Sequence, residues 1–305
     1  MLQERVRFRF AGGAQGFNWL PVFVADEFGI FRKHGLEVEY RKMNGVAQAT
    51  QAVLDGEAEL AITPPEGAVT DFLRGGALRI VAANAVRLPM SLVARPGITT
   101  PAQLRGKKIG TSSLTEGTAI YTQILLAGQG LTYPGDYEFA LAGIHTSRWA
   151  ALQSGDIDAA PQPAPWNFLA ERQGYTLLAE VHDAIPDILF TALIGNRDWL
   201  QANRGMVGRL LATLTEAHAI TNDQARLEEI LPIFQRITTP DDADLARRGL
   251  VYMRDMGMWP EGLAISERAL ATTVDLMIRA GLLDGAESER AMAVFDRSHL
   301  QALAG

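Results

Sequence analysis

Apolar and polar positions alternate from the start of the chain. Val6, Phe8 and Phe10 stand against Arg7 and Arg9, the period of a half-buried strand. After the loop Ala11–Phe17, Asn18 and Pro21 sit where a helix begins. Leu20, Phe23, Val24, Phe28 and Phe31 recur at three and four and predict one apolar helix face. Lys33 and His34 suit a last helical turn, and Gly35 suits the left-handed position just beyond it. Leu36, Val38 and Tyr40 then alternate with Glu37, Glu39 and Arg41 as a second strand. A helix over Ala47–Leu54 stops at Gly56, and a strand over Leu60–Thr63 runs into Pro64-Pro65. This βαβα order predicts a mostly parallel sheet with helices on its faces.

A second region begins near Ser91. The pattern predicts strands over Ser91–Arg95 and Lys107–Gly110, a capped turn over Thr100–Leu104 and a helix over Thr115–Ala127. One stretch echoes another: Val53-Leu-Asp-Gly56-Glu-Ala-Glu59-Leu-Ala61-Ile-Thr63-Pro64 and Leu152-Gln-Ser-Gly155-Asp-Ile-Asp158-Ala-Ala160-Pro-Gln162-Pro163. Both read as helix end, glycine, two spaced acids, a short apolar strand, a polar residue and proline. The echo supports two α/β lobes built alike. From about Arg204 onward the apolar spacing is helical almost throughout, with Pro232, Pro240 and Pro260 punctuating it.

Composition changes the picture mainly by exclusion. The 305 residues are 48 % hydrophobic and 21 % charged, ordinary for a globular chain of one large or two smaller domains. There is no cysteine, so thiol catalysis, thiolate metal sites and disulfides are excluded. Twenty-eight basic against 35 acidic residues leave a net charge of −7, and the basic ones are scattered, which argues against nucleic-acid binding. No apolar run approaches the roughly 20 residues of a membrane-spanning helix, and no apolar signal core lies near Met1. The chain is therefore read as either cytosolic or a mature exported protein.

The sequence holds no phosphate-binding glycine loop, no nucleophile elbow and no pair of histidines at metal-ligand spacing among its five. No metal or cofactor is expected. In open α/β sheets ligands bind beyond the carboxyl ends of the strands, so the residues there are the candidates. After the first strand come Gln15, Phe17, Asn18 and Trp19, two amides and two aromatic faces. After the third come Thr63, Pro65 and Glu66. Ser112, Ser113 and Thr115 stand at a helix start, where free N–H groups suit an anionic or accepting group. Gln162 and Trp166 follow the second echo. Each has a plainer reading: the hydroxyls as helix caps, the tryptophans as core, Glu66 as a complement to its helix dipole. Their joint occurrence at four strand ends favours a ligand-binding cleft.

Two segments carry a resemblance. Ala25-Asp-Glu-Phe28-Gly29-Ile-Phe31-Arg-Lys33-His-Gly35-Leu36-Glu-Val38-Glu39 and Leu104-Arg-Gly106-Lys107-Lys108-Ile109-Gly110 resemble signatures of the nitrate/sulfonate/taurine-type substrate-binding proteins of ABC importers. That family is related to the thiamine-pyrimidine synthesis and binding proteins. The likeness spans about residues 5–200. It implies a type II periplasmic-binding fold: two α/β lobes, a hinge near 85–90 and 185–195, and a helical C-terminal part returning mostly to the first lobe. The implied division is 1–87 with 190–305, and 88–189. The implied ligand positions are the strand-end residues already named. Many members carry tryptophan-glutamate-proline-aromatic after the second echo, where this chain has Pro163-Ala164-Pro165-Trp166.

The expected function is capture of a small organic ligand (a sulfonate, carboxylate or amino-heteroaromatic compound) for an ABC permease. The protein would act as a monomer, outside the cytoplasm if a signal segment has been removed. Trp19 is expected to touch the ligand and to be dispensable for folding. The alternative is a cytosolic enzyme on the same scaffold, with Glu66 and His145 as acid–base candidates. A ligand sensor paired with a regulatory protein is a third reading.

Overall fold

The structure is a computed structural model that describes residues 5–13, 15–43, 45–112, 114 and 117–304. Its strands are β1 (Val6–Gly12), β2 (Leu36–Lys42), β3 (Leu60–Thr63), β4 (Leu78–Ala85) and β5 (Met90–Ala94), then β6 (Lys108–Thr111), β7 (Glu138–Leu141), β8 (Ala159–Pro163), β9 (Thr176–Glu180) and β10 (Thr191–Asn196). The helices of the first half are α1 (Leu20–Glu27), α2 (Ile30–Lys33), α3 (Val46–Leu54), α4 (Glu66–Leu73), α5 (Thr118–Ala127), α6 (His145–Ser154), α7 (Trp166–Arg172) and α8 (Val181–Ala184). Those of the second half are α9 (Arg197–Ala202), α10 (Arg204–Asn222), α11 (Leu227–Thr238), α12 (Ala243–Asp255), α13 (Glu267–Arg279), α14 (Ser288–Ala291) and α15 (Ser298–Ala304). Among the described residues no helix is long and apolar enough to cross a membrane.

The chain divides into two compact units. The first is Met1–Val86, Ile188–Ala243 and Gly257–Gly305; the second is Arg87–Asp187 and Asp244–Met256. The first unit's sheet has the order β2-β1-β3-β10-β4, with β1 parallel to β2 and β3 and β10 antiparallel to its neighbours. The second unit's order is β7-β6-β8-β5-β9, with β6 parallel to β7 and β8, and β5 antiparallel to its neighbours. In each sheet the fourth position is the reversed strand. The echoed stretch leads into β3 in one unit and β8 in the other, the central strand of each sheet. One core packs Ala61, Leu78, Ile80 and Ile194 against Leu270 and Val274 of α13. In the second unit Val93, Trp149, Leu152 and Ile157 form a smaller cluster.

The apolar face expected to run unbroken from Leu20 to Phe31 is two helices, because Gly29 adopts φ +69° and turns the chain between α1 and α2. Pro232 does not end a helix. It lies inside α11, whose Ile230, Leu231, Ile233 and Phe234 are buried, so tertiary packing carries the helix past it. The helix expected from Thr115 is described from Thr118, after Gly117 at φ +50°. Strands β4, β7, β9 and β10 add to those read from the pattern. In β4 the run Leu78-Arg-Ile-Val-Ala-Ala-Asn-Ala85 is nearly all apolar and has no period to read.

The sequence division gave all of 190–305 to the first lobe, whereas Asp244–Met256 packs with the second unit. The reason is a set of side-chain contacts on α12. The Tyr252 hydroxyl donates to the Glu180 carboxylate at 2.6 Å, and Ser91 Oγ donates to the same carboxylate at 2.9 Å. The Phe168 ring meets the Tyr252 ring edge-on at 5.1 Å, with the Arg248 guanidinium 4.0 Å from its centre. Burial, and then the Glu180 charge, push the Tyr252 hydroxyl above the ordinary tyrosine range, so it remains a donor.

Candidate functional site

At the carboxyl end of β1 the expected residues split into two kinds. Trp19 is fully buried and packs against Phe10 (5.1 Å), Phe23 (6.2 Å) and Tyr40 (6.3 Å). Its ring lies so close on β1 that a Cβ at Gly12 would sit 2.2 Å from it. Trp19 is therefore packed as a core residue, which departs from the expectation that it is dispensable for folding, while its indole N–H is left without a partner.

Phe17 is half-buried and stacks on Phe190 at 6.3 Å with 11° between the rings. The Asn18 carbonyl accepts from Asn84 Nδ2 at 2.8 Å, and the same amide group donates to Thr191 Oγ1 at 3.0 Å. Asn84 thus ties the Phe17–Trp19 turn to β4 and β10, while its own Oδ1 is buried without a partner. Gln15 Nε2 is likewise enclosed and unpartnered. Two open amide groups at one sheet end leave hydrogen-bonding capacity for a ligand or water.

At the end of β3, Thr63 is buried, with its hydroxyl 3.5 Å from the Val46 carbonyl. Pro65 is buried at the start of α4, and Glu66, half-buried, is the first residue of that helix. That position complements the helix dipole, the plainer of its two sequence readings.

In the second unit Ser112 follows β6. Its N–H donates to Thr118 Oγ1 at 2.9 Å and its hydroxyl meets the same oxygen at 2.9 Å, which binds the loop to the first turn of α5. Ser113 and Thr115 lie outside the described residues. Gln162, on β8, is fully buried; with its amide suitably turned it donates to the His145 carbonyl (3.2 Å) and accepts from the Trp149 N–H (3.1 Å). Both ends of the amide are then spent on α6, so Gln162 positions that helix, a correction to its expected role as a ligand donor. Trp166 is half-buried at the start of α7, with its ring 5.3 Å from the His145 ring.

Two residues that the sequence reading passed over complete the picture. Asn84 is one of two polar side chains in the strand Leu78–Ala85. Arg148 falls four residues before buried Leu152, on the inward face of α6, and is itself only 3 % exposed. Its Nε donates to the Pro161 carbonyl at 2.9 Å and its Nη1 to the Gly143 carbonyl at 2.7 Å. Burial holds its pKa down, to about 10, so the group remains a cation at neutral pH. His145 beside it is lowered from the ordinary imidazole value, first by burial and then by the Arg148 charge, and is neutral. The available signals differ: Asn84 interrupts an apolar strand, and Arg148 stands four residues before Leu152 on one face of its helix. Among the described residues there is no group of three side chains fit to hold a metal ion. The strand ends of the first unit thus offer amides and an aromatic face, and those of the second a hydroxyl, an aromatic face and a buried cation.

A family model described as NMT1/THI5 like matches residues 16–224. A protein of Brucella abortus (strain 2308), provisionally named a binding protein, is 28 % identical over 225 residues, 73 % of this chain and 68 % of its own. The alkanesulfonate-binding protein SsuA from Xanthomonas axonopodis pv. citri, solved bound to MOPS, is 16 % identical with a TM-score of 0.73, over 96 % of this chain and 99 % of that one. The periplasmic nitrate-binding protein NrtA from Synechocystis PCC 6803 is 14 % identical with a TM-score of 0.74, over 99 % of this chain and 88 % of that one. At such identities the likeness is one of fold, and the fold is the α/β periplasmic-binding architecture that the sequence resemblance implied.

Proposed function

We propose that this chain, which belongs to the NMT1/THI5-like family, is a solute-binding protein that captures a small organic molecule for an ABC importer. The observation that carries the reading is the placement of polar and aromatic side chains at the carboxyl ends of the parallel strands of both sheets. There Gln15, Phe17 and Asn84 in one unit, and Ser112, Arg148 and Trp166 in the other, stand on a rigid scaffold. The likeness to sulfonate- and nitrate-binding proteins supports it. On this reading the protein acts as a monomer outside the cytoplasmic membrane, binds its solute without chemical change and passes it to a permease.

A thermal-shift screen of the purified chain against sulfonates, carboxylates, nitrate, amino acids and amino-pyrimidines tests it. Ligand at a hundred times its dissociation constant adds about 2.7 kcal/mol to stability, a rise in Tm of at least about 2 °C for a chain of this size. A hit recovered unchanged from the complex supports the proposal. A hit that is consumed transfers the scaffold to catalysis, with His145 and Glu66 the first side chains to substitute.

A further inference from the structure

The first unit has a cavity of about 230 Å³ at the other end of its sheet. It opens where α3 ends and β3 begins, beside Asn196, the last residue of β10. β10 runs antiparallel to β3, with Gly195 opposite Leu60 and Ala192 opposite Thr63. The length of β3 therefore separates the cavity from Thr63 and its neighbouring strand ends. One wall is apolar: Val53 and Ala58 are buried, and the half-buried Trp199 ring contacts no other aromatic ring among the described residues. The facing wall is polar and holds Arg9, Glu59 and Asn196.

On that polar wall the acceptors are filled and donors are open. Glu59 Oε1 accepts from Arg9 Nη2 and Nε, and Glu59 Oε2 accepts from the Arg9 backbone N–H and Nε. These bonds occupy the carboxylate's lone pairs. Asn196 Oδ1 caps α9 by accepting from the N–H groups of Asp198 and Trp199. Arg9 Nη1, Asn196 Nδ2 and the Trp199 indole N–H have no hydrogen-bond partner among the described residues. The second unit closes the corresponding space. There Asp158 answers to Glu59 and is paired with Arg95. A Cβ on Gly155 would meet Arg95 Nη1 at 2.8 Å, whereas one on Gly56 would meet nothing within 4 Å. The open space beside Gly56 is thus not a by-product of the repeated connection.

We infer that this cavity is a second small-molecule site, and that its ligand is a neutral carboxamide or lactam built on a single flat ring. The ring lies against Trp199 and the apolar wall. Its carbonyl accepts from the open donors of Asn196 and Arg9. An anion would meet Glu59 and a cation would meet Arg9, and either would leave a balanced ion pair with an excess charge. Sites for larger ligands measure roughly 300–1,000 Å³, so this one takes one ring with a small substituent. Occupancy here is independent of any solute captured at the carboxyl ends of the strands.

Matched probes test this on the full chain by two-dimensional proton–nitrogen NMR: benzamide and 2-pyridone, with benzoate and benzylammonium as charged counterparts. Trp199→Phe identifies the Trp199 indole signal by its loss, and Asn196→Asp identifies the Asn196 amide signal. Both signals should move saturably with the neutral probes at millimolar concentration, the range expected of so small a ligand. The charged counterparts should bind about tenfold more weakly or less. Asn196→Asp keeps the helix cap while removing the donor, and should weaken benzamide about tenfold. Trp199→Ala should weaken it by a similar factor, and Trp199→Phe, which keeps a flat ring, by less. Shifts that grow without saturating, equal binding of the charged probes, or an Asn196→Asp protein that titrates like its parent overturns the inference. Shifts confined to the side-chain amides of Gln15 and Asn84 would place the probes at the strand ends. That result overturns the second site and leaves the solute-binding reading standing.

Discussion

In the first unit Glu59, one residue before β3, accepts the Arg9 N–H of neighbouring β1 and pairs with the Arg9 guanidinium. In the second unit Asp158, one residue before β8, accepts the Lys108 N–H of neighbouring β6 at 3.0 Å and pairs with Arg95 at 2.6 Å. The repeated acid therefore does the same work twice: it satisfies a backbone donor at the entry edge of the central strand and holds an arginine across it. The other ends of the same strands are not alike. β3 ends in Thr63, beside a loop whose tryptophan has gone into the core; β8 ends near Gln162, beneath a helix whose buried Arg148 bonds two backbone carbonyls. What the two units repeat is architecture, and what they do not repeat is the set of side chains at the strand ends. That division is expected if backbone satisfaction is needed wherever the fold recurs while recognition is needed once.

The sharpest way to break the contrast is to truncate one tryptophan in each unit. Trp19→Ala should cost about 3–5 kcal/mol, as large buried aromatics do, read as lost hydrogen-exchange protection in β1, β2 and α1. Trp166→Ala should cost about 1 kcal/mol, being half-buried, while weakening ligand binding. Similar losses for the two would place both in the same role.

Acid titration should find the next largest difference. His218 of the first unit is fully buried, donates its Nδ1–H to the Pro260 carbonyl (3.1 Å), and burial lowers its pKa to about 4 from an unfolded value near 6.5. A folded pKa below the unfolded one gives a contribution present in full above pH 6.5 and lost as pH falls towards 4. The loss is about 3 kcal/mol, and His218→Gln should flatten that limb in urea unfolding followed across the range. A profile unchanged by the substitution would remove His218 as the cause.

Tyr252→Phe takes one donor from the Glu180 carboxylate and should cost about 2 kcal/mol, with exchange rising in α12 and β9 ahead of α10 and α11. Loosening of all four together would deny that α12 behaves as part of the second unit. Smallest and most alike should be Glu59→Gln and Asp158→Asn, each about 1 kcal/mol in these partly exposed pairs. A gap of several kcal/mol between them would refute their equivalence.

Much of this was legible from the chain alone. Strict alternation exposed β1 and β2, the glycine-acid echo exposed both central strands, and Thr100 with Gln103 foretold the capped turn that the structure shows as a short 3-10 helix. Strand β4 was not legible, since an uninterrupted apolar run carries no period, and Pro232 misled because packing overrides its local preference. The placement of α12 depends on Tyr252 and Arg248 meeting Glu180 and Phe168, some 70 to 80 positions away.

For the candidate site the boundary is physical. Local order, turns and strand ends follow from backbone and side-chain sterics within a few residues, so the sequence determined the βαβ order, the family resemblance and the set of strand-end positions worth inspecting. Burial is a property of what packs around a side chain from elsewhere in the chain. Only the tertiary structure could decide that Trp19 is packed in aromatic contacts, that Gln162 spends its amide on α6, and that Arg148 lies buried with its guanidinium bonded to two carbonyls.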